Sequence, residues 1–294
     1  MVRFERILCP LDFSDSSLRA YDYAQSLARH YQATLLVQHV VAPLFSAYPS
    51  YVYPDMAGDL AQDLRAHAEQ QLQEFVQTRT SNGFPLEPSV GEGQVTDSIL
   101  ALAASRQASL IVMGTHGRQG FDHLLLGSVT EKILRKARCS VLAVRQPRHD
   151  FVAPASKDDP VRLRKILFAT DFSQHAGRAL GYALSLAQEY ASELTLLHAI
   201  EEIPPSWDLS TVSADVVARL EKPIPPEARD WCTIKPRLRI GRPYQEIVRF
   251  ALENEADLII LGVRGRNALD LALFGSTTHR VIQQAPCPVL AVHL

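Results

Sequence analysis

Residues 7–14, Ile-Leu-Cys-Pro-Leu-Asp-Phe-Ser, return 159 positions later at 166–173 as Ile-Leu-Phe-Ala-Thr-Asp-Phe-Ser. Between 6–40 and 165–199, 15 of 35 positions are identical, more than unrelated segments share. A second block repeats with another spacing. Gly114, Gly117, Gly127 and Ser128 return 148 positions on as Gly262, Gly265, Gly275 and Ser276, and the tails 139–144 and 287–292 keep that spacing. One unit has been duplicated, and the second copy is 11 residues shorter between its two blocks.

Each copy alternates short apolar runs with helix-periodic stretches. In the first, strands are expected at 6–11, 34–41, 86–90, 110–113 and 141–144, with helices at 14–30, 59–78, 98–104 and 129–137. Ser14 or Asp15 is the expected cap of the first helix. Runs apolar at every position belong to strands covered on both faces, and parallel neighbours need crossover helices. The expected fold is α/β: two tandem, doubly wound, parallel five-stranded domains of Rossmann-like type. The boundaries are 1–146 and 164–294, with a connector at 147–163 rich in Pro, Asp, Lys and Arg and poor in apolar residues. A length of 294 residues suits two domains of roughly 100–200 residues each. In the second copy Pro223, Pro225 and Pro226 must stop the middle helix, expected at 212–221. Trp207 and Trp231 flank it and either pack a small core or cover a ligand.

Charge and composition remove several function classes. Thirty basic and 32 acidic side chains leave a net charge of −2, without the basic excess of a nucleic-acid-coating protein. An apolar content of 47% excludes a disordered chain. No apolar run approaches the roughly 20 residues of a membrane span. The first strand begins within six residues of Met1 with no secretory leader, so the expected location is the cytoplasm. Cys9, Cys139, Cys232 and Cys287 have no metal-ligand spacing and are expected as reduced, packed thiols.

The motif that carries chemistry is Gly-x2-Gly-x9-Gly-Ser, present twice, each time after an apolar strand. Ligands of open α/β sheets bind at that end of the strands. Glycines there admit a phosphate close to backbone N–H groups, and the final Gly-Ser opens a helix whose N-terminus favours an anion. Ser128 and Ser276 either cap that helix or donate to a phosphate. The spacing is neither that of a Walker P-loop nor GxGxxG. His39 and His198, at matching strand ends, are expected as structural, hydrogen-bonded histidines. His116, Asp122 and His123 have no shared counterpart in the second copy, which argues against a common catalytic role.

The segment 124–144, together with 7–14 and the Leu-Leu-His-Ala around residue 198, resembles the universal stress protein family. The resemblance covers both halves apart from the connector and the two middles, and the glycine motif is similar to that of the family's ATP-binding subset. It implies an adenine nucleotide, ATP or else ADP or AMP, with Mg as an optional companion, on each intact domain. It places Asp12 against the adenosine moiety (capping of the next helix being the alternative), Pro10, Val40 and Met113 as walls for the base, and Gly114, Gly117, Gly127, Ser128 and Val129 around ribose and phosphates. The second-copy counterparts are Asp171, Ala199, Leu261, Gly262, Gly265, Gly275, Ser276 and Thr277. There Pro10 becomes Ala169 and Val40 becomes Ala199, which predicts unequal affinities. Arg118 and Arg266 either pair with phosphates or lie solvated. The resemblance further implies an intramolecular pseudo-dimer joined antiparallel through the last strands, with a homodimer and an unidentified protein partner as further expectations.

Function is thus expected to be stress-response binding and signalling without enzymatic turnover, since no general base is paired with a nucleophile. Slow ATP hydrolysis or self-phosphorylation on Ser128 or Ser276 stays compatible with it. The alternatives are a nucleotide-free scaffold whose glycines only make turns, and an adenylate-transfer enzyme. The latter would carry HxGH or SGGxD after the first strand, where this chain has Asp-Phe-Ser-Asp at 12–15 and Asp-Phe-Ser-Gln at 171–174.

Overall fold

A computed structural model describes residues 1–42, 54–79, 83–116, 126–145, 150–152, 161–202, 204, 208–263 and 275–293. The first half runs β1 (Arg6–Pro10), α1 (Asp15–Tyr31), β2 (Thr34–Val41), α2 (Pro54–Arg79), β3 (Leu86–Glu92), α3 (Val95–Ser105), β4 (Leu110–Gly114), α4 (Ser128–Lys136) and β5 (Ser140–Val144). The second runs β6 (Lys165–Ala169), α5 (Gln174–Glu189), β7 (Glu193–Ile200), α6 (Leu209–Glu221), α7 (Ala228–Trp231), β8 (Ile234–Ile240), α8 (Pro243–Glu253), β9 (Leu258–Gly262), α9 (Ser276–Gln284) and β10 (Val289–Val292).

All ten strands form one sheet in the order β3-β2-β1-β4-β5-β10-β9-β6-β7-β8. Every neighbouring pair is parallel except β5 with β10. In each half the chain steps outward from its first strand and then jumps back across it, so the fold is the expected doubly wound α/β arrangement, twice. Alternate residues feed two cores. Ile7, Cys9, Leu110, Val112, Ile166 and Phe168 pack beneath α1, α2, α5 and α6. Leu8, Ile111, Met113, Leu167 and Leu261 pack beneath α3, α4, α8 and α9. Burial on both faces is why these strands carry no polar alternation. The outer strands β3 and β8 carry Pro88 and Pro236 and charged side chains, which discourages pairing with another chain.

The halves join through Val141, Leu142 and Ala143 opposite Ala291, Leu290 and Val289. Leu142 and Leu290 are equivalent residues 148 apart, so the pseudo-twofold axis passes between them. This is the antiparallel meeting of last strands that the family resemblance implied. On either side, Arg145 donates to the Gln283 carbonyl and His293 Nε2 lies 2.8 Å from the Leu134 carbonyl, each at the C-terminal end of the other half's last helix. Free carbonyls and the negative end of the helix dipole make such ends good acceptors.

The few apolar residues of the connector join the core. Phe151, Val152, Val161 and Leu163 are buried in the core shared with α1 and α5. Asp150 is bound by Arg19 and by the Tyr23 hydroxyl, and Phe151 meets the Tyr23 ring edge-on. Four apolar positions scattered among charges escaped notice as a packing pattern, but they suffice to pin the segment's ends. In the second middle, α6 ends at Glu221, just before the prolines. Trp231 packs against the core, whereas Trp207 lies outside the described residues. The four cysteines are free. Burial pushes the Cys139 thiol up to about 11 and those of Cys9 and Cys287 higher still, which leaves them unreactive.

Burial also pushes the His293 pKa below its ordinary 6.5. Its Nδ1 is sealed without a hydrogen-bond partner among the described residues, and burial outweighs the support that nearby backbone groups of Leu134, Ala291 and Cys139 give the charged form. A depressed folded-state pKa means that the unfolded chain binds more protons below pH 6.5, so stability falls with pH from there. Wild type should therefore lose stability as the pH is lowered below 6.5, with the one-proton limit of about 1.4 kcal/mol per pH unit as the steepest slope. His293→Gln, which keeps a donor for Leu134, should flatten that slope in urea titrations.

Candidate functional site

The site forms where the winding of each half reverses, between its first and fourth strands. In the second half these are β6 and β9, and a cavity of about 340 Å³ opens at their C-terminal ends. That volume lies within the range of small-molecule pockets. Its apolar side is made by Ala169, Leu197, Ala199 and Leu261 from the strands and Pro243 and Ile247 from α8. Its polar side is made by Asp171, Ser173, His175 and His198, and by Gly275, Ser276, Thr277 and Thr278 at the start of α9. Of the second-copy residues singled out above, Asp171, Ala199, Leu261, Gly262, Gly275, Ser276 and Thr277 converge on this one cavity. Gly265 and Arg266 lie outside the described residues.

Among the described residues no side chain caps the N-terminus of α9 where it meets the cavity. Gly275 occupies the cap position with no side-chain hydrogen bond, and Ser276 is the first helical residue. The first half repeats this, with Gly127 at the cap of α4 and Ser128 inside the helix. Neither serine is a cap, so of the two roles open to them capping is excluded. Free N–H groups at such an end, with the partial positive charge of the helix dipole, suit an anion.

Asp12 and Asp171 are not the caps of the helices that follow. Ser14 and Ser173 are, accepting from Ser17 N and Ala176 N. Asp12 Oδ1 instead accepts from Ser14 N at 3.0 Å and Ser14 Oγ at 2.6 Å, and Asp171 Oδ1 accepts from Ser173 N at 2.9 Å. The carboxylates are set at the sheet edge by an unusual backbone. Phe13 and Phe172 both have a φ of 62°, which costs a side-chain-bearing residue about 1–3 kcal/mol and persists only when the surroundings enforce it. The Phe13 ring packs on His39 and Phe75, with centroids 5.0 and 5.8 Å away. Phe172 packs on His198 at 4.4 Å, with the Arg219 guanidinium 4.0 Å above its ring. His39 and His198 are hydrogen-bonded as expected, their Nδ1 atoms donating to the carbonyls of Leu11 and Thr170 at 2.7 and 2.8 Å.

In the first half Pro10, Val40 and Met113 project from one sheet face, the face that carries Leu8, Leu36 and Ile111. Gly127 N donates to Thr115 O at 2.8 Å, and Thr130 Oγ1 to Gly114 O at 2.9 Å, which folds the start of α4, with Ser128 and Val129, back over the end of β4. His116 Nδ1 meets Thr115 Oγ1 at 2.8 Å. Gly117, Arg118, Asp122 and His123 lie outside the described residues.

Packing accounts for two of the motif glycines. A Cβ on Gly114 would stand 2.8 Å from the backbone C and O of Ser16, and one on Gly262 would stand 2.7 Å from those of His175. Helices α1 and α5 approach the fourth strand of their half too closely for any side chain. Gly275 is different, with its nearest neighbour Thr278 Oγ1 at 3.7 Å. His175, Pro243, Ile247 and Leu197 went unrecognised in the sequence as lining residues. His175 replaces Ser16 of the first copy, and that exchange of serine for imidazole at equivalent positions was the available signal; α8 carried none. Gly262→Ala should cost about 1–3 kcal/mol of stability, while Gly275→Ala should stay within about 0.5 kcal/mol of wild type. Equal losses in chemical denaturation would contradict this division.

A model of the universal stress protein family matches residues 3–145 and again 162–293. A universal stress protein of Mycolicibacterium smegmatis is 25% identical over 297 residues, covering 97% of this chain and 96% of its own. One of Thermus aquaticus is 36% identical over 134 residues, spanning 98% of its own length but 44% of this chain. Half of this chain thus matches nearly the whole of that relative. Among solved structures, a universal stress protein from Archaeoglobus fulgidus aligns over 99% of both chains with a TM-score of 0.72 at 24% identity, a likeness of fold.

Proposed function

This chain belongs to the universal stress protein family, and from that premise we propose that it binds an adenine nucleotide (ATP, or its di- or monophosphate) and acts in the stress response as a binding and signalling module in the cytoplasm. What carries the proposal is the second-half cavity, where seven residues selected from the glycine motif and its companions meet at the topological switch point. The uncapped start of α9 and the hydroxyls of Ser276 and Thr277 would receive phosphate oxygens. Asp171 would accept from ribose hydroxyls or the exocyclic amine. Ala169, Ala199, Leu261 and Ile247 would cover the faces of the base. Equivalent roles fall to Pro10, Asp12, Val40, Met113, Ser128 and Val129 in the first half. A divalent ion accompanying ATP would draw its ligands from phosphate and water, because Asp171 is the single carboxylate among the described lining residues.

The function is proposed as binding rather than turnover, with Ser128 and Ser276 the residues that self-phosphorylation would modify. One observation favours the scaffold reading. Gly114 and Gly262 are required by packing, so their presence alone does not speak for a phosphate. The uncapped helix and the polar lining of the cavity are not explained that way.

Calorimetric titration of the full chain separates the readings. Loss of an Asp171 hydrogen bond to the ligand, in Asp171→Ala, should weaken the affected site about 10- to 100-fold. Ser276→Asp, which sets a negative charge at the phosphate end, should weaken it at least as much. No binding of ATP at millimolar concentration by the wild type would establish the scaffold instead.

A further inference from the structure

The contact between α1 and α5 is built from equivalent positions that carry unlike chemistry. His30 and Glu189 correspond across the two copies, as do Tyr31 and Tyr190, each pair 159 residues apart. His30 Nε2 lies 2.9 Å from Glu189 Oε1. The Tyr31 hydroxyl donates to Glu189 Oε2 at 3.0 Å, and the Tyr190 hydroxyl to that of Tyr31 at 3.3 Å. The His30 ring lies 4.8 Å, centroid to centroid, from each tyrosine ring. Burial, reinforced by Tyr190 and Glu189, pushes the Tyr31 pKa far above the ordinary phenol range, so its hydroxyl remains a donor. The His30 and Glu189 side chains are only 25% and 20% exposed, which limits screening by water.

The same surface formed between like halves would not work. Two first halves would set His30 against His30, with no carboxylate for histidine or tyrosine. Two second halves would set Glu189 against Glu189, bringing two carboxylates together in a partly dry contact, which is repulsive. Like-with-like pairing has a structural consequence. Each half owns an equivalent joining strand, β5 or β10, so first-to-first and second-to-second contacts would string chains into an open assembly that never closes.

We propose that His30, Glu189, Tyr31 and Tyr190 form a heterotypic lock that commits the first half to the second half and penalises joining of like halves between chains. A single polar or charged contact that fixes which surfaces pair is the best-attested use of such buried groups.

The test uses the full chain in four forms: wild type, His30→Glu, Glu189→His and the exchange His30→Glu/Glu189→His. Because tyrosines flank both positions, the exchange recreates the cluster with its polarity reversed. Thermal midpoint and light-scattering mass are read from micromolar to several hundred micromolar. Each single variant should melt several degrees lower, and the exchange should recover at least half of the summed loss, while wild type and exchange form no open-ended assembly at any concentration. An exchange that melts as low as the sum of the singles overturns the proposal, as does a wild-type mass that climbs past that of a dimer into open-ended assembly as concentration rises. If the singles fail to fold, the neutral pair His30→Gln/Glu189→Gln substitutes for them. It should melt below the exchange, and a midpoint equal to that of wild type overturns the lock.

Discussion

Leu142 and Leu290 face each other where β5 and β10 run antiparallel, and this seam determines the rest of the architecture. Both strands are apolar and, in an isolated half, both would be sheet edges open to unwanted partners. Pairing them turns two five-stranded sheets into one of ten. It also fixes where α1 meets α5 and where Arg145 and His293 reach the opposite helix ends. The free edges that remain, β3 and β8, are those with proline and charge. Duplication within one chain replaces an intermolecular contact with an intramolecular one, at a high effective concentration. It also lets equivalent positions diverge, as His30 and Glu189 have done.

Within the second half β6 and β9 pair in parallel, and the cavity lies where their C-terminal ends meet the start of α9. Its polar end combines a helix N-terminus without a cap, two hydroxyls and a carboxylate oriented through the strained turn at Phe172. Strain of this kind repeated in both copies, at Phe13 and Phe172, marks a conformation that the fold enforces rather than tolerates by accident. The two sites are not copies in chemistry. Ala169 and Ala199 replace Pro10 and Val40, and His175 and Thr277 replace Ser16 and Val129. At these positions the second half therefore has smaller walls and, through Thr277, one more hydrogen-bonding side chain than the first.

Much of this was legible in the sequence because its physics is local or repeated. Strands buried on both faces announce themselves as unbroken apolar runs, and the duplication doubled every such signal. Residue type and position narrowed the cap of α1 to Ser14 or Asp15, and Ser14 fills it. What escaped depends on approach in space. Gly114 and Gly262 looked like phosphate-loop glycines, but the reason a side chain is forbidden there is the backbone of Ser16 and His175, a hundred or so residues away in sequence for the first and about ninety for the second. The connector looked polar because Phe151, Val152, Val161 and Leu163 are scattered among charges, and only their common core unites them. No periodicity could reveal that α8 delivers Pro243 and Ile247 to the cavity. The pairing of His30 with Glu189 requires knowing which helix faces which.

The most direct test is to identify and count the nucleotide released from gently purified full-length protein by denaturation, using chromatography and mass spectrometry, before and after saturation with ATP. The account predicts an adenine nucleotide at one to two equivalents per chain, with the second half occupied, so that Asp171→Ala lowers the count. A chain that releases no nucleotide and takes up none from millimolar ATP would contradict it.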